Sequence, residues 1–338
     1  TDISFRKTLA FEAFEKSSAY DSIISGYLNP KSSKKNVEIR ELRYGENPHQ
    51  KARFIGDLKD YLIQLNGKEI SYNNLLDIDA SLDLLRDLDS SKAIFLIHKH
   101  NNPCGVAIRD SITEAYEDAL ACDNISAFGG VLTTNKKIDK KTSNQINKLF
   151  YEILIAPDFD DDALDLLKSK KNRILIKLNK IPIKNIQKRS CLNGFLEQDI
   201  DNKIENFGDF KVVTTKTPNN KNSNDLVLAS IIAKHTKSNC IAIVKNQQLI
   251  GSGMGQVSRI DALDQAIEKS KRFGFELNQS SLASDAFFPF SDCVEISFKN
   301  GIDSIVQPGG SVRDQDSIDF CNENKMSMVF SGIRHFRH

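Results

Sequence analysis

Short apolar runs of strand length recur along this chain, separated by segments of helical periodicity. "KAIFLI" (92–97), "ISAFGGVL" (125–132), "EILIAP" (152–157) and "RILIKL" (173–178) alternate with helical patterns such as 112–121 and 160–169. A second series has helix 223–235, strands "CIAIV" (240–244) and "LIGSG" (249–253), helix 260–272, strand "SIVQ" (304–307) and helix 312–323. Alternation of this kind predicts α/β layers. The two series look related. An apolar strand carrying "KHNNPCG" is followed by "ALACDNISAFGGVL", and "KSNCIAIV" is followed by "SLASDAFFPFSDCV". That pairing points to an internal duplication.

With 338 residues and an apolar fraction of 40%, the chain has room for two domains and their cores. Forty-six basic against 45 acidic residues leave a charge of +1, so nothing draws the whole chain towards nucleic acid or an anionic membrane. No apolar run reaches the roughly 18 residues that a bilayer span needs. The amino terminus lacks a basic start and an unbroken apolar stretch, which excludes a signal peptide. Leu9, Phe11, Phe14, Tyr20, Ile23, Ile24 and Tyr27 instead predict an amphipathic helix over 8–27, followed by a linker, "NPKSSKKN" (29–36). With no initiator Met, Thr1 reads as the cut edge of a longer protein. Six widely spaced cysteines with no CxxC predict free thiols and a reducing cytoplasm.

Several polar stretches interrupt this pattern. "FLIHKHNNPCG" (95–105) runs an apolar strand straight into His98, Lys99 and His100. The Asn102-Pro103 step predicts an irregular segment after His100. A plain polar turn and a ligand-holding turn both remain open here. "LRYGENPHQ" (42–50) sets Arg43 beside Tyr44, a pair suited to phosphate and ring recognition or to an ordinary Gly/Pro turn. "GSGMGQVSRIDALDQAI" (251–267) fails GxGxxG, because Gln256 takes the last glycine's place, and it lacks GK[ST]. It leaves a flexible loop with Arg259 at a helix start, where Ser258 can also serve simply as a cap. "QPGGSVRDQDSI" (307–318) spaces Ser311 and Asp314 as a capping box. "SDAFFPFSD" (284–292) offers adjacent phenylalanines for a core or for a flat ring slot. In the tail "FSGIRHFRH", Phe330, Ile333 and Phe336 are spaced to anchor the end of the chain. Zinc-deaminase chemistry fails, since "PCGVA" has no second cysteine and no HxE or CxE lies near it. A hydrolytic triad lacks GxSxG.

Taken in order, "LRYGENPHQ", "KHNNPCG", "SAFGG", "IAPDF", "KSNCIAIVKN", "GMGQVSRIDA", "SDAFFPF", "QPGGSVRD" and "IRHFRH" resemble the formyltransferase domain of the AICAR transformylase/IMP cyclohydrolase family. The likeness runs from about residue 41 to the last residue. It implies two cytidine-deaminase-like α/β subdomains without zinc, at 36–206 and 207–338. Residues 1–35 would be a connector helix and linker from a preceding cyclohydrolase domain, whose catalytic body the chain lacks. It also implies a cytoplasmic homodimer with shared active sites, acting on AICAR (an aminoimidazole carboxamide ribonucleotide) and 10-formyltetrahydrofolate. There would be no resident metal, with room for a monovalent cation such as potassium. By position, Lys99, His100 and Asn239 would be catalytic. Arg43, Tyr44, Gly129, Glu152, Arg259, Phe287 and Arg334 would bind AICAR, and Ile260, Asp292, Ser311 and His338 the folate. Two rival readings are a zinc-independent deaminase-like hydrolase and a non-catalytic nucleotide-binding relative.

Overall fold

The computed structural model describes residues 2–28, 38–88 and 91–338. The chain divides into two compact units, Thr1–Lys59 and Asp60–His338. The first unit holds helix α1 (Ile3–Leu28) and an antiparallel hairpin of β1 (Ile39–Leu42) and β2 (Ala52–Ile55). The predicted helix 8–27 is thus longer by several residues, and the apolar side chains of Phe5, Phe11 and Phe14 are exposed on it. The predicted linker 29–36 lies outside the described residues.

The second unit contains two series of elements in one order. The first is β3 (Leu62–Asn66), α2 (Tyr72–Asp87), β4 (Ala93–Lys99), β5 (Asn102–Arg109), α3 (Ile112–Cys122), β6 (Val131–Thr134), α4 (Lys140–Ile146), β7 (Ile153–Ala156), α5 (Asp161–Lys168) and β8 (Ile174–Leu178). An exposed hairpin follows, β9 (Ile186–Cys191) and β10 (Gly194–Asp199). The second series is β11 (Lys211–Val212), α6 (Asn220–Lys234), β12 (Ile241–Lys245), β13 (Gln248–Gly253), α7 (Arg259–Arg272), β14 (Ser281–Ser284), α8 (Asp292–Lys299), β15 (Ser304–Gln307), α9 (Asp314–Glu323) and β16 (Ser327–Phe330).

Every pairing of the first series recurs in the second. A hairpin, β4–β5 or β12–β13, pairs antiparallel with the next strand, and two parallel strands and one antiparallel edge strand follow. The halves join through β5 and β13 into one 12-stranded mixed sheet, in the order β11-β16-β15-β14-β12-β13-β5-β4-β6-β7-β8-β3. The duplication therefore stands at the level of topology, although the strings that suggested it do not correspond. "KHNN" closes β4, whereas "KSNC" precedes β12.

Alternation along each strand sends side chains to two faces. Ile94, Leu96, Ile153 and Ile155 pack with Ile78, Leu82 and Leu85 of α2 and Leu226, Ala229 and Ile232 of α6. Phe95, Ile97 and Leu154 face Ala115, Tyr116 and Ala119 of α3 and Ala163 and Leu167 of α5. Ile241, Ile243 and Ile305 face Ala262, Leu263 and Ala266 of α7 and Val294 of α8. The result is the expected α/β layering, with a large mixed sheet at its centre. Three expectations need correction. Residues 124–129 form turns, so the "ISAFGGVL" strand begins only at Val131, the helix expected over 223–235 spans Asn220–Lys234, and the last helix begins at Asp314 rather than 312.

Candidate functional site

Because β5 and β13 run antiparallel, opposite ends of the two repeats meet at one edge of the sheet. That edge collects the end of β4, the starts of β5, β6, β7 and β12, and the ends of β13, β14, β15 and β16. The predicted site residues of the second unit lie on this edge or in the segments that leave it.

At its centre the β4–β5 hairpin closes through His100 and Asn101, at φ +52° and +63°. Two-residue hairpins favour this left-handed pair because it matches the strand twist. Lys99 still pairs with Asn102, so the predicted irregular segment is instead a tight turn, with Asn102 already in β5. Three hydrogen bonds pin it. The Asn101 N–H donates to Asp77 Oδ1 at 2.6 Å, Asn102 Nδ2 donates to the His100 carbonyl at 2.9 Å, and the Lys237 N–H donates to Asn102 Oδ1 at 3.0 Å. The last bond brings the segment holding Asn239 against the turn. One N–H of the Asn239 amide is taken by the Gln256 carbonyl at 2.9 Å. Lys99 Nζ donates to the Phe128 carbonyl at 2.6 Å, and His100 stands exposed.

His98, one residue earlier, has the opposite environment. It is wholly buried, and neither ring nitrogen has a hydrogen-bond partner among the described residues. Burial, with smaller contributions from Arg337 and His235, pushes its pKa down to about 3. It is a neutral core imidazole.

Beside the turn, Gly129 (φ +72°) donates its N–H to the Phe150 carbonyl at 2.9 Å, and the Glu152 N–H donates to the Gly130 carbonyl at 3.0 Å. These bonds set Gly129 and Glu152 together at the starts of β6 and β7. The Glu152 carboxylate pairs with Lys68 at 2.5 Å, a basic residue that the sequence did not single out.

The other group lies beyond β12. Arg259 reaches Ser284 Oγ at 3.1 Å and Asp285 Oδ1 at 3.0 Å, and the second Asp285 oxygen is buried without a partner among the described residues. The tail docks here. The His335 N–H donates to the Asp285 carbonyl, Ser238 and Arg337 exchange hydrogen bonds at 2.9 Å, and Arg334 lies 4.4 Å from the Phe336 ring centroid. Phe287 is 38% exposed, enough for a ring to stack on it. Asp292 opens α8, and its Oδ1 accepts from the Cys293 N–H. Ile260 packs partly buried against the core beneath α7, and His338 faces Phe336 at 5.3 Å.

The expected capping box at Ser311 is not formed. Asp314 Oδ2 accepts from both Gly310 N–H and Ser311 N–H, while Ser311 Oγ takes the Arg313 N–H, so the helix starts after Arg313. Arg43 and Tyr44 belong to the first unit, in the turn after β1. There Arg43 lies 5.5 Å from the Tyr44 ring centroid, and the Gly45 N–H donates to the Gln50 carbonyl. Among the described residues no group of three or more His, Cys, Asp or Glu is arranged to hold a metal ion.

Along the edge, β7 and β15 are seven strand steps apart. At about 4.8 Å per step that is about 34 Å of sheet. The Gly129–Glu152 group and the Phe287–Ser311 group therefore sit towards opposite ends, with Lys99, His100 and Asn239 between them.

A sequence model described as the AICARFT/IMPCHase bienzyme matches residues 1–269. The chain belongs to this family. Among its relatives, the bifunctional purine biosynthesis protein PurH of Bacteroides thetaiotaomicron is 51% identical over 337 residues, covering 98% of this chain and 66% of that protein. The PurH proteins of Caldicellulosiruptor saccharolyticus and Clostridium acetobutylicum are each 44% identical, and the chain covers 69% and 67% of their lengths. The chain thus spans about two thirds of the curated bienzyme relatives it matches. No helix among the described residues is long and apolar enough to cross a membrane.

Proposed function

We propose that this chain is the AICAR formyltransferase of its bienzyme family, moving the formyl group of 10-formyltetrahydrofolate onto the amine of AICAR to give FAICAR. The observation that carries this reading is the pinned hairpin, which presents Lys99 and an exposed His100 and is tied through Asn102 to Lys237, two residues before Asn239. The attacking amine is electron-poor and must lose its proton as its nitrogen bonds to the formyl carbon. A histidine is suited to accept that proton. As the bond from the formyl carbon to the folate nitrogen breaks, that nitrogen needs a proton, which Lys99 can supply. The Asn239 amide retains one N–H for the oxyanion, a contact worth about 3–4 kcal/mol when preorganised.

Gly129 and Glu152 would hold one side of the nucleotide. Arg259, Phe287 and Arg334 would take its phosphate and ring, and Ile260, Asp292, Ser311 and His338 would face the folate; Arg43 and Tyr44 are assigned to AICAR from the family resemblance alone. A compact pocket of roughly 1,000 Å³ is only about 12 Å across. The 34 Å or so of strand spacing between the two groups favours a site built from one end of each of two copies. We therefore take the enzyme to be a homodimer with shared sites. We take the two repeats to be cytidine-deaminase-like subdomains at 36–206 and 207–338. Cyclisation to IMP we assign to the part of the relatives' length that this chain does not span. Six unpaired cysteines accord with a cytoplasmic setting.

The test is His100→Ala. Turnover is expected to fall at least ~100-fold, within the usual range for a lost general base, with AICAR affinity retained. Lost binding with unchanged residual turnover would contradict the assignment. Tight AICAR binding by the unaltered chain without turnover would favour the non-catalytic reading.

A further inference from the structure

The pseudo-symmetry of the sheet gives the catalytic turn an internal control. Its counterpart is the β12–β13 turn, where Lys245, Asn246 and Gln247 stand in place of Lys99, His100 and Asn101. Asn246 and Gln247 also have positive φ, +52° and +58°. Lys245 Nζ donates to the Glu276 carbonyl at 2.9 Å, as Lys99 Nζ does to that of Phe128 at 2.6 Å. In each repeat an aspartate at the sixth position of the preceding helix takes the turn's N–H groups. It is Asp77 on α2 and Asp225 on α6.

The two aspartates differ in one respect. Asp225 is engaged by the turn through both oxygens, which accept from the Asn246 N–H at 2.8 Å, the Gln247 N–H at 2.6 Å and Gln247 Nε2 at 3.0 Å. Asp77 accepts a single hydrogen bond from the described residues, the Asn101 N–H. Burial raises its carboxyl above the usual range, opposed by the Asn101 N–H and by the charges of His100 and Lys99, so both side chains lie within its electrostatic reach. One repeat uses the aspartate only to fasten a turn. The other sets the same fastening under the two residues read as catalytic.

We propose that Asp77 is the positioning residue of the Lys99–His100 pair, fixing the left-handed turn through the Asn101 amide so that the imidazole and ammonium address one substrate. This rests on the formyltransferase reading of that turn. Asp77 does not touch the reacting atoms. It acts by fixing, through the Asn101 N–H, the left-handed turn on which His100 stands.

The experiment compares Asp77→Ala, Asp77→Asn and Asp225→Ala in the full chain. Stability, hydrogen exchange at the Asn101 amide, and kcat and KM with AICAR and 10-formyltetrahydrofolate are read for each. Both alanine variants are expected to lose stability, since each loses a turn anchor. Only Asp77→Ala is expected to speed Asn101 exchange and to lower kcat about 100-fold, the scale of a misplaced catalytic group, with KM for AICAR little changed. Asp77→Asn keeps a carbonyl oxygen for the Asn101 N–H and is expected to restore protection and most of kcat. Unchanged kcat in Asp77→Ala, or an equal loss in Asp225→Ala, would overturn the proposal while leaving the formyltransferase reading intact. If the unaltered chain transfers no formyl group, that reading fails, and unchanged Asn101 exchange in Asp77→Ala would then overturn the fastening itself.

Discussion

His335 fastens the C-terminal tail by holding two carboxylates at once, Asp201 through Nδ1 at 2.5 Å and Glu205 through Nε2 at 2.9 Å. Burial alone would lower its pKa, but the two acidic partners outweigh burial and push it up to about 9. A folded-state pKa above the unfolded value stabilises the protein below about 6.5, and that stabilisation is lost as pH rises through about 9. The contribution is on the order of 3 kcal/mol. Urea unfolding of the unaltered chain should therefore weaken between pH 7 and 10 more steeply than that of His335→Gln. Parallel pH profiles would remove His335 from the tail's anchorage. At this scale the ordered motifs made Lys99, His100 and Asn239 legible. Asp77 was not, because "LLDIDASLDLL" offers several aspartates and only the packing of α2 shows which one meets the turn. Nor could spacing separate His98 from His100. The pleat buries the first, and the turn exposes the second.

Two strands carry helices pressed directly against their backbones. A Cβ on Gly105 of β5 would stand 2.2 Å from the Ala119 carbonyl of α3, and one on Gly253 of β13 would stand 1.8 Å from the Ala262 carbonyl of α7. Both neighbours are backbone atoms in a closed layer, so they cannot swing aside. Gly253→Ala is expected to destabilise by about 1–3 kcal/mol, the usual range for overpacking, and to disturb the Gly-rich loop that holds Asn239. Stability within 0.5 kcal/mol of the unaltered chain, about the ordinary scatter of surface substitutions, would show that α7 is free to shift. The long apolar strands and most helices were legible from periodicity. The helix α2 was not, because it mixes core residues with charges used at its two ends, Asp77 at the turn and Asp87 against Lys234 and His235. Length alone did not decide which short strands were legible: β15, "SIVQ", was read, whereas β14, "SLAS", is built mostly of small residues and passed for a turn, and the "ISAFGG" turn passed for a strand because its apolar residues serve a loop.

The duplicated sheet explains why residues so far apart in sequence converge on one edge, and why a single copy spreads them along about 34 Å of it by strand spacing. If sites combine two copies, two inactive variants with lesions in different halves should complement. Mixing His100→Ala with Arg334→Ala under subunit exchange should restore about a quarter of full activity, because half the dimers then carry one intact site. No recovery in an exchanging mixture would mean that His100 and Arg334 serve a site from the same copy. The most direct test of the central claim is to mix the unaltered chain with AICAR and 10-formyltetrahydrofolate and to follow tetrahydrofolate and nucleotide product together. Release of tetrahydrofolate with accumulating FAICAR and no IMP is the expected result, whereas AICAR binding with no tetrahydrofolate released would contradict it.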